Sequence, residues 1–203
     1  MQAVAENKLI VILGGWNIQI FTKEWIGKFL LPEEELELEL SLDFEYSRRI
    51  SSKKIRIEVF QNRLSFIQRD TDDETAKQIR EISAKLADYL PHTPVGAFGI
   101  NYNFKGEKQE IKNELLTVND SKVLEEKLGK ISKTEYTHQF ITEGRVLNLK
   151  TLRGDNEVSL SFNYHFNISS LVNFKELIFK EDVIKLKQDS IDIMNSIYGL
   201  EVL

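Results

Sequence analysis

The residues best able to do chemistry here are few. His92, His138 and His165 are the only histidines in a chain of 203 residues, and there is no cysteine. Imidazole is the side chain whose ordinary pKa lies nearest neutrality, so it is the first candidate for proton transfer or metal ligation. No two of the three histidines stand at ligand spacing. Without cysteine there is no thiolate site, no thiol nucleophile and no disulfide framework. The expectation is therefore no metal and no cofactor. His92 lies in the loop Pro91-His92-Thr93-Pro94, and loops carry sites more often than cores do. His138 is two residues from both Tyr136 and Phe140, so a strand there would place it on their face. His165 falls among Asn163 and Asn167 at wet positions. A catalytic reading would use His92 or His138 as acid and base with a nearby carboxylate or Tyr102, inside a concave pocket. His92, His138 and Tyr102 are the candidate catalytic residues.

Other motifs carry less. Gly14-Gly15 is not followed by Gly-Lys-Ser/Thr and opens no G-x-G-x-x-G turn, so it reads as a strand bulge beside Trp16. There is no G-x-S-x-G nucleophile elbow. Glu110-Ile111-Lys112 and Glu125-Glu126-Lys127 match the E-x-K fragment of metal-dependent nucleases. That chemistry needs both side chains on one strand face, whereas these segments read as helix, where positions i and i+2 diverge. The stretch 48–69 carries Arg48, Arg49, Lys53, Lys54, Arg56, Arg63 and Arg69 with Phe60 and Phe66. That is one pattern for single-strand nucleic-acid binding. The competing reading pairs these cations with the acidic run before them. With 27 basic and 32 acidic residues the net charge is -5, which opposes phosphate-backbone binding. Asn167-Ile168-Ser169 is a glycosylation sequon, without meaning in a cytoplasmic protein.

These residues are placed by a chain rich in period-two patterns. Leu36, Leu38, Leu40, Leu42, Phe44 and Tyr46 alternate with polar residues, which predicts a strand over 36–46 with one dry face. Strands follow at 54–60, with Ile55, Ile57 and Val59 inward, and at 64–68. Direct pairing of the first two would set Phe44 against Ile55 and Leu42 against Ile57. It would also set Glu45 against Lys54 and Asp43 against Arg56. The segment 8–22 reads as one strand region bent at the glycines. Phe98, Ile100, Tyr102 and Phe104 predict a strand, as does the run Val158, Leu160, Phe162, Tyr164, Phe166 and Ile168. Segment 131–152 holds strands turning near Glu143-Gly144-Arg145. Helices are predicted over 22–31, from a capping box at Thr71 to Glu74 through Leu90, in two pieces within 107–129, and along the C-terminal third. In 107–129 the apolar anchors are Ile111, Leu115, Val123, Leu124 and Leu128.

The fold class that follows is α+β: a long antiparallel sheet covered by helices on one face, with a C-terminal helix. Residues 1–203 read as a single domain, with a loose duplication of element order whose halves are about 1–104 and 105–203. Hydrophobic residues make up 41% and charged residues 29%, which excludes disorder as the main state. No apolar run approaches the roughly 18 residues of a membrane span. The start of the chain lacks the features of a secretory signal. A soluble, cytoplasmic protein with no membrane partner is expected.

The stretch VGAFGINYNF at 95–104, together with the late hairpin ending in Phe162-Asn163-Tyr164-His165-Phe166 and the helical tail, resembles a family. It is a group of uncharacterised, sporadically distributed bacterial proteins with a Gly-Leu-Arg-Tyr-x-Asn-like strand. Gly99, Ile100 and Tyr102 fit that pattern, while Asn101 stands in place of Arg and Phe104 in place of Asn. The resemblance implies architecture and no mechanism. The functional expectation is a non-enzymatic protein-interaction or peptide-binding module that forms a homo-oligomer. The alternatives are the histidine acid-base enzyme and the nucleic-acid hairpin.

Overall fold

The computed structural model of the chain describes residues 1–32, 34–39, 47–107, 121–142 and 144–202. Within them, β1 (Gln2–Ala3), β2 (Asn7–Gly14), β3 (Glu37–Glu39), β4 (Ser47–Ser51), β5 (Ile55–Phe60), β6 (Arg63–Gln68), β7 (Val95–Glu107), β8 (Thr134–Thr142), β9 (Arg145–Arg153) and β10 (Glu157–Asn167) form one antiparallel sheet. The order across it is β3-β4-β5-β6-β2-β7-β10-β9-β8, with β1 beside β7. The α+β class is as the alternation predicts, with the sheet dominant.

One transverse row shows how the period-two pattern becomes a core. Leu38, Ile50, Ile57, Phe66, Ile10, Ile100, Tyr164, Leu147 and Phe140 stand opposite one another from edge to edge. The row is buried through its middle and exposed at both ends, Leu38 and Phe140. Over its middle lie α2 (Asp73–Ala84), α5 (Leu171–Lys180) and α6 (Val183–Ile193). Phe98 stacks on Phe166 at 4.7 Å and meets Phe174 of α5 edge-on at 4.9 Å. All three rings are at most 1% exposed, each contributing about 1.5–3 kcal/mol by burial. Tyr102 donates its hydroxyl proton to the Val183 carbonyl. The Tyr164 hydroxyl contacts Ser190 Oγ at 2.9 Å and Leu186 O at 3.2 Å. Two sheet tyrosines thus tie α6 down without leaving their polar ends unsatisfied. The tail closes in a π-helical turn, Met194–Tyr198, ended by Gly199 at φ 63, as a left-handed cap requires.

Several expectations need correction. The strand from Asn7 stops at Gly14, and Ile18–Ile20 is a 3-10 turn, because the Asn17 side chain accepts from Gln19 N at 3.1 Å and caps it. The cap of α2 is Asp72 rather than Thr71, its carboxylate accepting from Glu74 N. The helix there is also interrupted before α3 (Leu86–Tyr89). Ile57 of β5 lies between Ile50 and Phe66, and Arg56 between Ser51 and Ile67. Both flanks of β5 are therefore taken by β4 and β6, which displaces the pairing with 36–46. Positions 42–46 of that pairing lie outside the described residues, as do Glu110, Ile111, Lys112, Leu115 and most of the first of the two helical pieces predicted within 107–129. In α4 (Ser121–Leu128), the expected anchors Val123, Leu124 and Leu128 stand exposed, Leu128 at 81%.

Candidate interaction surface

The face of the sheet opposite α2, α5 and α6 is polar, and its side chains are organised. Gln139, Asn148, Asn163 and Asn101 stand in one row across β8, β9, β10 and β7. Gln139 Nε2 donates to Asn148 Oδ1 at 3.0 Å, and Asn148 Nδ2 to Asn163 Oδ1 at 3.0 Å. Asn163 Nδ2 then donates to Asn101 Oδ1 at 2.7 Å, and Asn101 Nδ2 to the Lys8 carbonyl at 2.8 Å. Every amide in this ladder donates toward the middle of the sheet. An ideal Cβ on Gly99 would sit 2.6 Å from Asn163 Nδ2, so a glycine is what leaves the ladder room. Asn7 and Asn103 extend it: Asn103 Nδ2 donates to Asn7 Oδ1 and Asn7 Nδ2 to the Asn101 carbonyl, both at 2.6 Å.

The ladder starts at a sheet edge. Among the described residues, β8 pairs with β9 alone, in unbroken register from Thr134 opposite Arg153 to Thr142 opposite Arg145. It is nine residues long, TEYTHQFIT, with no lysine and no proline, and its register has no bulge. Natural edge strands are commonly blunted by such features. The opposite edge is different. There β3 is described over three residues, two of them glutamates, and Glu39 is engaged by Arg49 at 3.6 Å and Arg56 at 3.4 Å.

Hydrogen-bond alternation fixes which groups β8 turns outward. Gly154 N–H donates to Glu157 O at 2.9 Å. The 154/157 pair is therefore of the bonded type, and so are the even-numbered residues of β9 toward β10. The odd-numbered residues of β9 then bond to β8, whose partners there are even-numbered. Residues 135, 137, 139 and 141 are left with main-chain N–H and C=O groups directed away from the sheet. Toward the end of the strand the side chains are exposed as well, Phe140 at 47% and Ile141 at 79%.

The three sequence candidates are not brought together. His138 lies on β8 with Tyr136 at 5.3 Å and Phe140 at 6.1 Å between ring centroids, on one face as expected, but exposed. His92 is exposed at a pocket of about 390 Å³ lined by Trp16, Phe21, Tyr89 and Pro94. Gly15 N–H donates to Pro94 O at 2.8 Å, and a Cβ on Gly14 would come 2.5 Å from the same oxygen. The glycine pair thus seats the His92 loop against the end of β2. His165 is half-buried on the polar face opposite Gly99. Tyr102 is buried, and desolvation, reinforced by nearby Tyr164, holds its phenol well above the ordinary tyrosine pKa. Among the described residues no histidine forms an ion pair with a carboxylate, and no group of three or more His, Asp or Glu could hold a metal ion. No described helix is long and apolar enough to cross a membrane.

The basic stretch 48–69 is largely engaged by acids, in part by Glu39 of the acidic run before it and in part by acids elsewhere in the chain. Arg49 Nε is 2.9 Å from Glu58, which Lys8 also meets at 3.3 Å, and the Glu58 side chain is 7% exposed. Arg56 and Arg69 share Glu6 at 2.7 and 3.1 Å. Lys54 lies 3.4 Å from Asp72, and Arg63 packs over Phe60.

No family model matches the chain, and no curated protein matches it. Sequence reasoning missed both the amide ladder and the β8 edge. The signal present was the recurrence of Asn101, Asn103, Asn148 and Asn163 at wet strand positions, which acquires meaning once the strand order is known.

Proposed function

We propose that this chain is a non-enzymatic protein-interaction module that works by strand addition along the outer edge of β8. The observation that carries this reading is a regular nine-residue edge strand, without lysine, proline or bulge, whose outward donors and acceptors meet no further strand among the described residues. A row of unpaired main-chain groups is a template for another strand: its hydrogen bonds supply affinity, and alternate side chains supply selectivity. Tyr136, His138 and Phe140 offer an aromatic face to the incoming strand, and Glu135, Thr137, Gln139 and Ile141 a mixed one. The amide ladder ties β8 through β9 and β10 to β7, and Tyr136 of β8 packs against the core.

The test uses extended peptides selected on the chain from a displayed random library. They are expected to bind the unmodified chain, to slow amide exchange at residues 135, 137, 139 and 141, and to lose binding to Thr137→Pro. Proline there removes one outward N–H and leaves the bonds to β9 in place. Peptides that bind Thr137→Pro as well as the unmodified chain, with no protection of β8, refute the reading.

A further inference from the structure

We infer that the strand received by β8 is β8 of a second copy of this chain, antiparallel to the first about a two-fold axis at His138. The inference rests on the strand-addition reading and adds the partner and the register.

Residues 134–142 are nearly self-complementary when reversed. With His138 opposite His138, Thr137 faces Gln139, Tyr136 faces Phe140, Glu135 faces Ile141 and Thr134 faces Thr142. Each contact but the central one occurs twice. This register uses the whole strand. It keeps the aromatic face continuous, setting Tyr136 of one copy against Phe140 of the other, a favourable cross-strand pairing. It places no like charges in opposition, since Glu135 is the one formally charged residue of the strand at neutral pH. An isologous contact of this kind closes on itself instead of propagating.

Two features of the fold point to this register independently of side-chain likeness. First, the outward main-chain groups are at 135, 137, 139 and 141. In the centred register these meet one another as hydrogen-bonding pairs, 137 with 139 and 135 with 141. His138 falls on a non-bonded pair, where opposing chains approach most closely. Second, the amide ladder runs one way. Gln139 gives its N–H to Asn148 at 3.0 Å, so its carbonyl oxygen is the terminal acceptor of the ladder at the edge. The residue set across from it is Thr137 of the second copy, whose hydroxyl is a donor. The contact is repeated by symmetry, and the two ladders would join into one hydrogen-bonded row spanning both sheets.

The absence of cysteine makes the test clean, because His138→Cys supplies a single thiol on an exposed side chain. The unmodified chain should sediment as a monomer when dilute and as a dimer when concentrated, and Thr137→Pro should remain monomeric throughout. Under mild oxidation His138→Cys should form the covalent dimer at least tenfold faster than Thr137→Cys or Gln139→Cys alone. Mixing those last two should produce a cross-linked heterodimer. A dimer whose fastest cross-link lies elsewhere on β8 overturns the register while leaving strand addition standing. A chain monomeric at every concentration that still binds selected peptides along β8 overturns the second copy as partner, and again spares strand addition. A dimer indifferent to Thr137→Pro, with no cross-link from any β8 position, overturns the second copy at β8, and if the selected peptides also bind Thr137→Pro unchanged it overturns strand addition as well.

Discussion

Replacing Gly99 by alanine puts a methyl where the Asn163 amide now sits, and the cost can be worked from the contacts. The new Cβ would lie 2.6 Å from Asn163 Nδ2, well inside contact distance. The atom that must yield is the end of a side chain held by two hydrogen bonds, one to Asn101 and one from Asn148. Swinging it away forfeits about 1 kcal/mol per bond, or about 2 kcal/mol in all. Alanine returns about 0.4–1 kcal/mol by restricting the unfolded chain. Gly99→Ala should therefore destabilise by about 1–1.5 kcal/mol. Asn163→Ala loses the same two bonds and should cost about 2 kcal/mol. In the double variant the bonds are already gone and the methyl enters space the amide has left, so its cost should be close to 1–1.5 kcal/mol. The coupling is then about -2 kcal/mol, far from additivity. Urea melts followed by circular dichroism measure all three variants. Additive effects within about 0.5 kcal/mol would show that Asn163 is not held by the ladder, and that the glycine has some other purpose.

Other expectations follow from the same contacts. Phe98→Ala removes a ring wedged between Phe166 and Phe174 and should cost about 3–5 kcal/mol in the same melts; a loss under about 1 kcal/mol contradicts the packing described. Thr22→Ala deletes the side chain that accepts from Trp25 N at 3.1 Å at the start of α1 (Lys23–Phe29), for a loss of about 1 kcal/mol. Burial raises the pKa of Tyr102, so the fold holds that proton more tightly than the unfolded chain does. The contribution is complete below about pH 10, where unfolded tyrosine begins to ionise, and fades as pH rises beyond it. Stability measured from pH 9 to 12 should fall less steeply in Tyr102→Phe, and identical slopes would contradict the assignment.

Much of the sheet was legible because burial imposes a period. The run 158–168 could be read as a strand because its even positions are dry and its odd ones wet, and β10 has that face. The pairing partners were less legible. Parity restricts which faces can meet without naming the neighbour. The short strand Ser-Arg-Arg-Ile-Ser has a single apolar residue by which to announce itself, yet it occupies the flank of β5. Ile18 and Ile20 alternate like strand residues, but a local side-chain cap at Asn17 outweighs that pattern. The histidines drew attention through their chemistry, while the edge and the ladder arise from strand order. No spacing along the chain encodes that order directly.

The sheet also has a history written into its connectivity. Two stretches, β4 to β6 and β8 to β10, are meanders whose strands neighbour one another in sequence and can zip up early. Between them stand β2 and β7, with Ile10 opposite Ile100 and Asn101 opposite Asn163. Those junctions join segments some sixty to ninety residues apart and close large loops, so they must wait for slow encounters. The chain should fold as two preformed flaps that dock late through a shared seam. Mutations along that seam should slow the arrival of the native state, whereas those out in the flaps mainly hasten its departure.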